Sequence, residues 1–208
     1  MNTSATPVAP RPRATAPVPA RLGPDAALAL ARSWFLEQRR IDLQGLAAEL
    51  GINRVTLYRW LGAHEQLMGE VLCFYADLAW KDALKNVACT GPEYTARVLH
   101  RFLRLLQGFA PFQHFIRDDP EYALKLLTSK HSRVQAQVVQ RIRVLLEGEV
   151  QAQRLELPTD LESLAYALVR ICEAFLYNDL ITGRAPDLDK AKEIIGALLQ
   201  APWRTLRL

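Results

Sequence analysis

Reactive side chains are scarce in this chain of 208 residues, and those present are scattered. Its three cysteines, at 73, 89 and 172, are odd in number and lie in apolar surroundings. That excludes a disulfide framework and suits structural thiols in a reduced, cytoplasmic protein. No run of eighteen uncharged apolar residues exists, which excludes a spanning helix. The first twenty residues also lack the apolar stretch of a secretion signal. GxSxG, GxGxxG and P-loop sequences are absent. His64-Glu65-Gln66-Leu67-Met68 begins like the zinc-protease HExxH, but Met68 fills the second ligand position, so no metal pair forms. His100, His114 and His131 stand isolated. Asp118, Asp119 and Glu121 precede or open a helix, where negative charge suits the helix dipole. The expectation is a protein without cofactor, metal or catalytic activity.

Strand signals are nearly absent too, and everything after Pro24 carries helical periodicity. The predicted fold is all-α, with helices over 25–39, 42–50, 54–61, 64–87, 93–109, 112–117, 120–130, 132–154, 160–182 and 187–200. Half of the residues are apolar, enough for one good core and a small satellite domain. Three parts follow: a disordered arm over 1–23, rich in Pro, Ala and Thr; a three-helix helix-turn-helix head over 24–66; and a larger helical body over 67–208 that binds ligand and dimerises. Arg11, Arg13 and Arg21 make the arm either a passive tail or one that reaches phosphates.

The most informative segment is Ile41 to Leu61, which reads as two short helices bent around Gly51. A steep crossing over so short a turn needs a small residue at the contact and a turn residue that tolerates positive φ; Ala47 and Gly51 supply both. Asn53 suits an N-cap, and Gly62 stops the second helix. Arg54, Thr56, Tyr58, Arg59 and Trp60 follow Asn53, with no acid from Ile52 to His64. Donors and aromatics without acids suit phosphate oxygens and base edges in a DNA major groove. Charge agrees by position: residues 1–64 hold eight arginines against four acids, which is the whole formal excess of +4. A basic head on a neutral body is what a polyanion-binding protein shows.

In the body, Phe102, Leu105, Phe109, Phe112, Phe115 and Tyr122 surround the helix breaks between 108 and 120. They suit an apolar cavity, with Arg170, Glu173, Tyr177 and Asn178 as polar fixtures, and hence a small, uncharged or amphipathic effector. The last two helices are apolar on more than one side. Leu164, Leu168, Ile171, Phe175, Leu188, Ala191, Ile195 and Leu198 form the stripe predicted to meet a second copy in an isologous four-helix interface.

The order of parts resembles the tetracycline-repressor family of one-component regulators. The likeness rests on a lead helix, a helix-turn-helix ending in Thr56-Leu57-Tyr58-Arg59-Trp60-Leu61, and Glu65-Gln66-Leu67 opening a long connecting helix. It implies a homodimer on a palindromic operator, released by a small ligand in the body. It also implies that Gln44, Asn53, Arg54, Val55 and Thr56 face DNA, that Tyr58 bonds a phosphate, and that Arg59 and Trp60 lie beside the duplex. His64 stands where the family commonly has a phosphate-binding Lys, which implies a weaker phosphate contact there, and Asp42 stands where a Thr is common, able to cap the helix but repelling a phosphate. Tyr58-Arg59-Trp60, Gly62, Glu65-Gln66-Leu67 and Gly69-Glu70-Val71 further resemble the branch that regulates degradation of quorum-sensing signals, which implies a lactone effector. The competing reading is a helical small-molecule-binding protein whose head pairs with protein instead of DNA.

Overall fold

The computed structural model describes residues 22–129 and 132–200, and every regular element among them is a helix. Arg11, Arg13 and Arg21 of the predicted arm, His131, and the end of the body from 201 lie outside the described residues. Among the described residues no helix is long and apolar enough to cross a membrane.

The head comprises α1 (Pro24–Leu36), α2 (Leu43–Glu49) and α3 (Arg54–Leu61), which pack pairwise. Ala27, Ala31, Trp34 and Phe35 of α1 are buried together with Leu43, Leu46 and Ala47 of α2 and Leu57 and Leu61 of α3. Local chemistry sets each start and stop. The Asp42 carboxylate accepts from the Gly45 amide at 2.7 Å and starts α2. Gly51 turns the chain at φ 66°, where a side chain would add about 1 kcal/mol of strain. There the Ile52 amide donates back to the Ala47 carbonyl at 2.9 Å. Asn53 caps α3 by accepting from the Val55 amide at 2.8 Å.

Helix α4 (His64–Ala83) runs from the head into the body. On the head side, the Tyr75 hydroxyl donates to the Arg32 carbonyl at 2.9 Å; on the body side, Trp80 meets Phe102 edge-on at 5.3 Å. It stops four residues short of the predicted Val87. Arg101 of the next helix donates to the carbonyls of Asp82 and Lys85, and Asn86 turns left-handed at φ 55°, so those two carbonyls are satisfied without another turn.

The body continues with α5 (Gly91–Gly108), α6 (Ala110–Asp118), α7 (Pro120–Thr128), α8 (Arg133–Gln151), α9 (Leu161–Leu176), α10 (Asn178–Thr182) and α11 (Leu188–Gln200). Helix α5 packs on α4 and α11, and α8 on α4 and α9. Leu99, Leu103, Ile142, Leu146, Leu168 and Ile195 are fully buried there, each worth about 1.5–3 kcal/mol of transfer free energy. The buried Glu149 carboxylate accepts from the Gly91 amide at 2.7 Å and pairs with Arg154, joining the end of α8 to the start of α5. The predicted 160–182 helix is in fact two, because the backbone departs from helix at Tyr177.

The predicted dimer stripe is corrected by burial. Leu164, Leu168, Leu188, Ala191 and Ile195 are at most 3 % exposed in a single protomer and have no surface to offer a second copy. They are the inner faces of α9 and α11, turned onto α5 and α8. Ile171, Phe175 and Leu198 stay half-buried, while Tyr166, Ala174, Ile181, Ile194 and Ala197 are exposed. The most apolar stripe of an amphipathic helix is the one its own core consumes.

Candidate nucleic-acid interface and buried cavity

The outward face of α3 is built by its period. Leu57 and Leu61 point inward, which leaves Asn53, Arg54, Val55, Tyr58 and Arg59 exposed, Val55 by 73 % and Tyr58 by 57 %. Among the described residues neither Arg54 nor Arg59 has an ion-pair partner, so both guanidinium groups can donate outward. Gln44 is exposed on α2, and Thr56 is half-buried at the edge of the same face. Trp60 is half-buried against the core, so its indole is chiefly a packing group. The α3 face can donate to phosphate oxygens and base edges and carries no acid to repel them.

His64 does not join that surface. Its Nε2 lies 2.9 Å from the Ile41 carbonyl oxygen and its Nδ1 lies 3.0 Å from the Tyr122 hydroxyl. Both ring nitrogens are committed inside the protein, which corrects the expectation of a phosphate contact. A partner 58 residues away is invisible to local sequence reading.

The body holds a narrow cavity of about 60 Å³. Of the predicted lining, Phe102, Phe109, Phe112, Glu173 and Tyr177 face it. Leu105, Phe115, Tyr122, Arg170 and Asn178 do not. Phe115 and Tyr122 line a cleft between head and body instead, and the Asn178 amide donates to the Ala185 carbonyl at 3.4 Å. Arg170 pairs with Glu173 from outside the lining and sits 5.4 Å over the Tyr166 ring. Sequence reading missed Phe35, Tyr75, Leu103, Gln135, Val138 and Cys172. Phe35 comes from the first helix of the head and Tyr75 from α4, so no reading confined to the body's breaks could find them.

The lining is largely apolar; its polar side chains are Gln135, Glu173, Tyr177 and Tyr75, whose hydroxyl the Arg32 carbonyl takes. Burial pushes the Glu173 carboxyl up to about 7 despite the opposing Arg170 charge. Burial likewise raises the Tyr177 hydroxyl far above its usual range and the Cys172 thiol to about 12, so both stay protonated. In the amide orientation that satisfies both ends, Gln135 donates to the Ser129 carbonyl at 3.0 Å and accepts from Arg170.

A reading helix presented on a small head, over a helical body with an internal cavity, defines a helix-turn-helix regulator. A family model described as "Tetracyclin repressor-like, C-terminal domain" matches residues 90–200, more than half of the chain. The chain belongs to the tetracycline-repressor family, whose members are ligand-responsive DNA-binding transcriptional regulators and not enzymes. Among solved structures it is similar to the transcriptional repressor QsdR of R. erythropolis, at 28 % identity and TM-score 0.79, over 87 % of this chain and 96 % of that one. It is also similar in fold to the regulator SCO7518 of Streptomyces coelicolor, at 15 % identity and TM-score 0.55, over 85 % of this chain and 98 % of that one. Comparison of the sequence with curated proteins returns no significant match.

Proposed function

We infer that the chain is a repressor that acts as a homodimer on a two-fold symmetric operator, each α3 entering the major groove of one half-site. The observation that carries this is the outward face of α3, with exposed Asn53, Val55 and Tyr58, no acid, and Arg54 and Arg59 unpaired among the described residues. Arg54, Val55 and Thr56 face bases, while Tyr58, Arg59 and Gln44 serve the backbone. Residues 24–66 form the DNA-binding unit and 67–208 the ligand-binding and dimerisation unit, with α4 shared between them. The similarity to a chain described as a repressor supports the negative sign of regulation.

The second copy covers the exposed Tyr166, Ala174, Ile194 and Ala197 on the outer side of α9 and α11. The effector is small and largely apolar with one polar end, placed at Glu173, Tyr177 and Gln135; lactones bearing an acyl chain are the class to test first. A site for such a ligand spans about 300–1,000 Å³. The cavity described here, at about 60 Å³, is thus the closed form. An effector that fits only an expanded form shifts the population toward it, and releases DNA if that form spaces the two heads wrongly.

The test is fluorescence anisotropy with a duplex of the DNA preceding the protein's own gene, over a series of salt concentrations. Log affinity that falls steeply and linearly with log salt supports the reading. Salt-insensitive association, or association with a protein partner alone, would replace it.

A further inference from the structure

Head and body share one continuous core through α1 and α4, where the buried Phe35 stacks on Tyr75, and an open cleft lies beside that contact. The cleft spans about 690 Å³ and is lined among others by Phe35, Ile41, Asp42, Phe115 and Tyr122. Close packing of α1 on α4 holds one side of the joint, whereas on the cleft side the head is held by the groups that reach across. The Lys125–Glu65 pair beside the cleft is 70 % and 58 % exposed, and such pairs hold little. The Tyr75–Arg32 bond ties the head's α1 to α4 on the packed side of the joint, outside the cleft lining.

The hydrogen-bonded bridge on the cleft side is the His64 imidazole at the start of α4. The Ile41 carbonyl, just before α2, can only accept, so Nε2 donates to it across 2.9 Å. With a single ring proton, Nδ1 then accepts from the Tyr122 hydroxyl of α7 at 3.0 Å. Burial pushes that hydroxyl up to about 12, so Tyr122 keeps the proton it donates. The imidazole thus joins the entry of α2, the start of α4 and the body's α7 at one point.

We propose that the Tyr122–His64–Ile41 bridge sets the angle of the DNA-reading head on the body, making Tyr122 and His64 positioning residues for DNA binding. The same bridge ends a run of rings that begins at the core cavity. Phe35 and Tyr75 line that cavity and stack at 5.3 Å; Phe35 meets Phe115 at 6.2 Å, and Phe115 meets Tyr122 edge-on at 6.3 Å. Resting on the proposed function, an effector that spreads the cavity displaces Phe35 and Phe115, and with them the Tyr122 end of the bridge. A two-state element biased from both ends is the physical requirement for coupling over distance.

The test needs neither DNA nor effector, so it stands or falls apart from the proposed function. Residual dipolar couplings of backbone amides are measured on the full-length, deuterated protein in a weakly aligning medium. In the wild type, α2 and α3 fit the same alignment as α8 and α9. Tyr122→Phe, which keeps the ring and removes the hydroxyl, reduces the head's couplings by about a third or more relative to the body's, reporting motion at the joint. His64→Phe does at least as much, and the double variant does no more than His64→Phe alone. Unchanged body couplings show that the variants remain folded. A head that keeps the body's alignment in both variants, or effects that add in the double variant, would overturn the proposal.

Discussion

Replacing Glu173 by Gln tests the electrostatics of the cavity directly. The carboxyl sits in the cavity wall with its side chain 16 % exposed, beside Arg170. Burial raises it from the ordinary 4.5 to about 7, so the folded protein holds this proton more tightly than the unfolded chain does. Unfolding between those two values releases a proton, and stability therefore falls as pH rises through that window. At about 1.4 kcal/mol per pH unit, the gap amounts to roughly 3 kcal/mol once pH is well above 7. Glutamine keeps the shape and never ionises. Relative to wild type, Glu173→Gln gains almost nothing near pH 4.5 and up to about 3 kcal/mol by pH 8, or about 6–12 °C in Tm for a chain of this size. Circular-dichroism melts of both proteins from pH 4.5 to 8.5 read the difference, in which other titrating groups cancel. Parallel curves would refute the argument, because they would mean that Glu173 ionises as freely in the fold as out of it.

Three further outcomes are expected. Tyr58→Phe weakens binding about equally on all duplexes, whereas Arg54→Ala or Thr56→Ala relaxes preference at particular base pairs by roughly 1–3 kcal/mol, as binding to an operator mutated one position at a time will show. Glu149→Ala strands the Gly91 amide at the α5–α8 junction and lowers stability by about 1–3 kcal/mol in urea titration, while Arg154→Ala leaves the Gly91 bond in place and costs less. Ala174→Glu places a charge on the exposed outer side of α9, and sedimentation equilibrium then finds monomer with an unchanged far-ultraviolet spectrum.

Helix starts were legible because each is decided locally. Asp42, Asn53, Asp119, Ser132 and Asp160 accept from an amide two or three residues on, as their side chains suggest. The sharp turn at Gly51 was readable for the same reason, since only the residue there decides whether φ can be positive. The outward face of α3 follows from its period, with Leu57 and Leu61 inside. What escaped the sequence depends on distant partners. Periodicity marks the apolar stripe of α9 but not whether the core or a second copy consumes it; Leu164 and Leu168 went to the core. Phe115 and Tyr122 belong to the head–body cleft because α1 and α4 pass there, which only the assembled fold decides. His64 reads as a surface donor until Tyr122 and the Ile41 carbonyl take both its nitrogens.

Hydroxyl-radical footprinting on the DNA preceding the protein's own gene, with wild type and with Arg54→Ala, tests most directly whether α3 is the reading surface. Two protected patches about one helical turn apart, related by two-fold symmetry and lost or blurred in the variant, are the predicted result. Protection that is absent, or that is identical in the two proteins, would contradict the assignment.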